Sequence, residues 1–106
     1  MESPEGVRNF PEILRTPGIA AVFLGPVDLS VAMGRGGDPD DPAVRAALLD
    51  MIGQANRAGV PAGALAVDPA FARTLLAQGL DFLAYGIDTI LMYQKCREIR
   101  EQVLGR

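Results

Sequence analysis

Apolar residues recur along this chain at two spacings, and the alternation between them divides it into elements. Val7, Phe10, Ile13 and Leu14 fall on one face of a helix that opens at Ser3-Pro4-Glu5. Those three supply an N-cap, a first-turn proline and an acid that complements the helix dipole. Pro11 is expected to bend or restart this helix, and Thr16-Pro17-Gly18 to end it. The uninterrupted run from Ile19 to Leu24, stopping at Gly25-Pro26, suits a strand buried on both faces, as in a parallel sheet.

From Val27 to Asp41 the chain is rich in Gly, Asp and Pro, with only a short turn near Leu29 to Met33, so a long loop of the kind that often carries function is expected. Asp41-Pro42 starts a second helix, with Val44, Ala47, Leu48, Met51, Ile52 and Ala55 on its apolar face and Gly59 at its end. Val60 to Val67 reads as a strand, Asp68-Pro69 opens a helix carrying Phe71, Leu75 and Leu76, and Gly79 closes it. Leu80 to Tyr85 gives a third buried strand, Gly86 to Thr89 a turn, and a last helix bears the stripe Met92, Cys96, Ile99 and Val103. One helix followed by three strand-helix units implies an α/β fold with parallel strands. It fits an open doubly wound sheet or part of a closed barrel, and periodicity does not choose between them.

The composition supports one soluble unit: 106 residues, of which 49% are hydrophobic. Acids and bases are scattered, with a formal net charge of -3 and a pI near 4.8, so no basic block invites nucleic acid or anionic lipid. No apolar stretch approaches the ~20 residues needed to cross a bilayer. Cys96 is the only cysteine, and the start of the chain lacks a basic segment followed by an apolar run, so a cytoplasmic location is expected.

The absence of histidine removes the commonest general base, the Ser-His and Cys-His pairs, and imidazole metal ligation. Lys95 lies among Gln94, Arg97, Glu98 and Arg100, a solvated face rather than the setting of a Schiff-base amine, and Cys96 reads as a small packing residue. Gly34-Arg35-Gly36-Gly37 lacks the Lys-Ser/Thr ending of a P-loop and follows no strand directly. Asp28 stands just past a buried strand, where parallel barrels place reactive groups. Its carboxylate suits metal or substrate contact, or equally the capping of a short turn through Ser30 and Val31.

The stretch Val22-Phe23-Leu24-Gly25-Pro26-Val27-Asp28-Leu29-Ser30, followed by Met33-Gly34 and Asp38-Pro39, resembles the signature of the HpcH/HpaI aldolase/citrate lyase family. Ala62 to Ala66 and Tyr85-Gly86-Ile87-Asp88-Thr89 resemble its next two strand regions in the same order, so the resemblance spans essentially the whole chain. It implies the C-terminal part of a (β/α)8 barrel and the chemistry of a class II pyruvate aldolase. In that branch a Glu and an Asp at the ends of consecutive strands hold a divalent metal, and Glu2 and Asp28 match them.

On this resemblance the cofactor is Mg²⁺ or Mn²⁺, for which hard oxygen ligands are suited. The substrate is a small 2-oxo acid that chelates the metal, which acts as a Lewis acid on the enolate. Gly25, Pro26, Val27 and Asp28 form the substrate-binding turn, with backbone N–H groups near Val27 and Asp28 on the substrate carboxylate.

Family members are roughly twice as long as this chain. The part without a counterpart here holds the first four strands, and with them the arginine and histidine assigned to enolate stabilisation and proton transfer. No general acid or base is therefore assigned in residues 1–106. The expectation is a C-terminal half-barrel lacking its N-terminal strands, inactive alone, with Glu2 at a frayed terminus and strand edges exposed. The leading expectation for the complete protein is a carbon-carbon lyase that cleaves 4-hydroxy-2-oxo acids to pyruvate and an aldehyde. The alternatives are a citrate-lyase-like CoA-ester lyase and a non-catalytic half-barrel that self-associates through the last helix. A homo-oligomer is expected because the family's terminal helix often packs between subunits.

Overall fold

The computed structural model describes residues 1–106 as five helices and three strands. Helix α1 (Pro4–Leu14) begins where Ser3 accepts a hydrogen bond from the Gly6 amide at 3.0 Å. It runs through Pro11 as one continuous helix, so the restart, one of the two outcomes expected there, does not occur. Only one hydrogen bond in the ladder is forgone there, and the ring is exposed. Phe10 and Leu14 are the residues it buries.

Strand β1 (Val22–Leu24) is followed after one residue by helix α2 (Pro26–Ala32), so the expected loop begins with a seven-residue helix and is irregular only from Met33 to Asp41. Helix α3 (Pro42–Ala58) is capped by the Asp41 side chain on Ala43 N–H and closed by Gly59 at φ 70°. Strand β2 (Ala62–Ala66), helix α4 (Pro69–Ala77), strand β3 (Phe82–Tyr85) and helix α5 (Asp88–Leu104) complete the chain. Each observed strand is shorter than the apolar run that announced it, because only the central residues find ladder partners.

The sheet has the order β1-β2-β3 with every pair parallel. That follows from the grammar of the sequence, since each strand returns through a helix. Val22, Leu24, Ala62, Ala64 and Ala66 face α1, α3 and α4 and join Phe10, Leu48, Met51, Ile52, Phe71 and Leu75 in one apolar core. The small alanines of β2 let α3 and α4 approach the sheet closely.

The opposite face of the sheet is open, against the expectation of strands buried on both sides. Phe23 and Phe82 are each 42% exposed there, because no element of the chain covers them. In register with both lies Gly63, which has no side chain to separate their rings, and these meet at 6.0 Å between centroids.

Helix α5 buries no residue at all. The molecule extends 55 Å along its longest axis with a radius of gyration of 16.0 Å, against about 13 Å for a compact domain of this length, because α5 projects from the rest. No helix is long and apolar enough to cross a membrane.

Candidate functional site

The C-terminal end of β1 is where the sequence gathers its chemistry. Gly25 is the N-cap of α2 with extended backbone, and Pro26 at the first helical position supplies the preset φ that turns the chain from strand into helix. Pro26, Leu29 and Ser30 are buried beneath this turn, which fixes α2 against the core and leaves Val27 and Asp28 exposed. The Leu29 amide is the first of α2 to bond back, to the Gly25 carbonyl at 3.0 Å. The Val27 and Asp28 N–H groups precede it and have no helical acceptor.

Asp28 lies in the first turn of α2, where a carboxylate also complements the helix dipole. It does not cap Ser30 or Val31. Gly25 occupies the cap position, and the Asp28 carboxylate has neither a hydrogen bond nor an ion pair within the chain. The capping reading of Asp28 is thereby corrected.

Glu2 reaches the same turn from the other side. The Met1 amino group donates to the Phe23 carbonyl at 2.6 Å and the Gly25 amide donates to the Met1 carbonyl at 3.1 Å. These bonds flank Leu24 in the pattern of a parallel ladder, with Met1 as the residue opposite. Glu2 is therefore not at a frayed end: the preceding residue, Met1, is tied to the edge of β1. The Glu2 side chain lies over Gly25, where a Cβ would come 2.7 Å from Glu2 Cγ and 2.9 Å from Oε1. Like Asp28, the Glu2 carboxylate is exposed and has no partner within the chain.

Both residues thus belong to one strand end and offer free carboxylate oxygens, a donor set suited to a hard divalent cation. No cluster of three or more His, Cys, Asp or Glu exists, so this chain contributes at most two side-chain ligands at this place. Gly25, Pro26 and Val27 form the turn beneath the carboxylates.

A second polar cluster sits beside this turn and was not legible as such. Arg45, which the helical pattern leaves among the polar positions of α3, pairs with Asp40 and Asp68 and stacks on Phe71. The only hint in the sequence is that Asp68 sits just before a helix-opening proline and Asp40 just before the Asp41-Pro42 pair that opens α3. The glycines of Gly34-Arg35-Gly36-Gly37 take positive φ angles of 70–81° in a turn.

Comparison with known proteins gives one consistent result. The HpcH/HpaI aldolase/citrate lyase family matches residues 1–94. A hydroxypyruvate/pyruvate aldolase of Pseudomonas aeruginosa is 41% identical over 99% of this chain and 39% of its own length. A 4-hydroxy-2-oxo-heptane-1,7-dioate aldolase of Klebsiella pneumoniae is 42% identical over 87% of this chain and 35% of its own. Among solved structures, a HpcH/HpaI aldolase/citrate lyase family protein from Burkholderia cenocepacia superposes with a TM-score of 0.87 at 31% identity, covering 96% of this chain and 40% of that one. The chain spans about 40% of the length of the curated relatives it matches.

Proposed function

The chain belongs to the HpcH/HpaI aldolase/citrate lyase family, and from that premise we propose that it is the C-terminal, metal-binding portion of a class II aldolase barrel. The complete enzyme cleaves a 4-hydroxy-2-oxo acid into pyruvate and an aldehyde. The observation that carries this reading is the pairing at the end of β1: Glu2 lies over Gly25, Asp28 stands one turn further, and both carboxylates are free of protein partners. Apart from the favourable position of Asp28 near the α2 N-terminus, neither carboxylate has a partner in the fold, and together they offer the oxygen donors that a cation site requires.

In this proposal Glu2 and Asp28 hold Mg²⁺ or Mn²⁺. When bound, the ion supplies Lewis acidity at the keto oxygen of the 2-oxo acid. The residues of this chain bind and orient. The free amides of Val27 and Asp28 donate to the substrate carboxylate, and Gly25 keeps the floor of the site open to Glu2. With no histidine in the chain, proton transfer belongs to groups outside these residues. The isolated chain is accordingly inactive.

The relatives at 41–42% identity are aldolases, which favours that activity over the CoA-ester lyase alternative. The unpartnered helix α5 supports assembly as a homo-oligomer, and a single free thiol in the chain fits a reducing, cytoplasmic setting.

The test is Mn²⁺-dependent pyruvate release by the full-length protein. Glu2→Gln and Asp28→Asn are each expected to lower it by about a hundredfold or more, the scale of losing a metal ligand. Retention of activity in either variant excludes that residue as a ligand.

A further inference from the structure

The Arg45 guanidinium joins three groups on two other segments. It stacks on the Phe71 ring with its central carbon 4.2 Å from the centroid, pairs with Asp40 in the loop before α3, and lies 3.6 Å from Asp68, the N-cap of α4. Asp68 is shared: Oδ1 accepts from the Phe71 amide at 2.9 Å while Oδ2 faces the guanidinium. Phe71 is almost fully buried, and with Pro26, Val27, Pro39 and Asp40 it lines a crevice at the C-terminal ends of β1 and β2.

One side chain therefore grips both walls of the seam that ends on the substrate-binding turn. On one side it holds Asp40, in a loop with no sheet partner and three glycines at positive φ. On the other it covers the ring that walls Val27. The start of the loop is tied back to α2, the Arg35 amide donating to the Ser30 carbonyl at 2.8 Å, but its far end has weaker ties: Arg35 stands 3.8 Å from Asp41, and the Asp40 amide bonds only locally to Asp38. Arg45 makes the only ion-pair link between the loop and α4.

We propose that Arg45 is a positioning residue for the Pro26-Val27-Asp28 turn. It fixes the 34–41 loop and the start of α4 against that turn and so sets the affinity for the 2-oxo acid without touching it. This rests on the aldolase reading above.

The experiment uses the full-length protein with Mn²⁺ and 4-hydroxy-2-oxopentanoate as the probe. Arg45→Met keeps an apolar stem over Phe71 and removes the charge pairs, while Arg45→Lys keeps a charge and removes the flat stack. The expected result for Arg45→Met is a KM raised about fivefold with kcat within about twofold, the scale of losing part-exposed ion pairs and a cation–π contact. Mn²⁺ affinity, read by titration without turnover, is expected to be unchanged, and Arg45→Lys to recover part of the KM. An unchanged KM, or kcat and Mn²⁺ affinity falling together, overturns the positioning role. A wild-type protein that binds Mn²⁺ but releases no pyruvate overturns the aldolase reading and this inference with it.

Discussion

The side chain of Glu2 occupies the space that a Cβ on Gly25 would need, with Cγ at 2.7 Å and Oε1 at 2.9 Å from that position. Gly25 has a negative φ of -101°, so alanine meets no backbone strain there and acts only through this contact. Because Glu2 is exposed and flexible, Gly25→Ala displaces the carboxylate rather than unfolding the chain. The expected outcome is Mn²⁺ affinity reduced about tenfold, or ~1.4 kcal/mol, with far-UV circular dichroism unchanged. Unaltered affinity in titration calorimetry rules out the proposed seat of Glu2.

Phe82 lies over Gly63 in the same way on the open face of the sheet, where a Cβ would come 2.0 Å from its ring. Gly63→Ala forces the ring off the sheet and away from Phe23, with an expected destabilisation of about 1–3 kcal/mol by urea denaturation, typical of overpacking. Phe82→Leu in the Gly63→Ala background relieves the clash and recovers part of that loss. A double variant no more stable than Gly63→Ala shows that the ring is not the obstacle.

Gly59 isolates the opposite effect. It closes α3 at φ 70°, and a Cβ there would meet nothing within 4 Å. Gly59→Ala is expected to destabilise by about 1 kcal/mol through backbone strain alone, with no change in the neighbouring packing. A loss well above 2 kcal/mol means that the end of α3 makes contacts beyond its cap.

The helices and the order of strands were legible because capping and periodicity are local. Ser3-Pro4, Asp41-Pro42 and Asp68-Pro69 each mark a helix start that the structure places within one residue. Periodicity did not reveal the openness of one sheet face, since an apolar run such as Ile19 to Leu24 reads the same whether or not a partner layer exists; only the resemblance to a longer barrel implied exposed apolar surface. Asp28 shows the same limit at the level of one residue: spacing left ligand and cap equal, and only the geometry of Gly25 as N-cap removed the cap. The grip of Arg45 on Asp40, Asp68 and Phe71 joins positions up to 31 residues apart, which no periodic pattern encodes.

Asp68 carries two roles that two substitutions separate. Asp68→Asn keeps an acceptor for the Phe71 amide and removes the charge facing Arg45, whereas Asp68→Ala removes both. The Arg45 and Asp68 side chains are 36% and 41% exposed, so the ion pair is screened and worth at most about 0.5 kcal/mol, while the cap is worth about 1 kcal/mol. Asp68→Ala is therefore expected to cost about twice as much as Asp68→Asn or more in thermal denaturation. Equal losses mean that the charge, not the cap, dominates.

Helix α5 tests whether this chain is complete in its contacts. It buries no residue, and Met92, Tyr93 and Val103 are each about 70% exposed. Its solvent-exposed pairs Lys95–Glu98 and Arg97–Glu101 add little to a seventeen-residue helix, which alone is marginal in water. Amide hydrogen exchange of the dilute chain is expected to be nearly unprotected along α5 while α3, packed in the core, is strongly protected. Protection of α5 that rises with protein concentration identifies a second copy as its cover, since mass action stabilises only what the partner binds. Strong protection at all concentrations contradicts the exposure of this helix, and with it the expectation that its apolar stripe is left for another subunit.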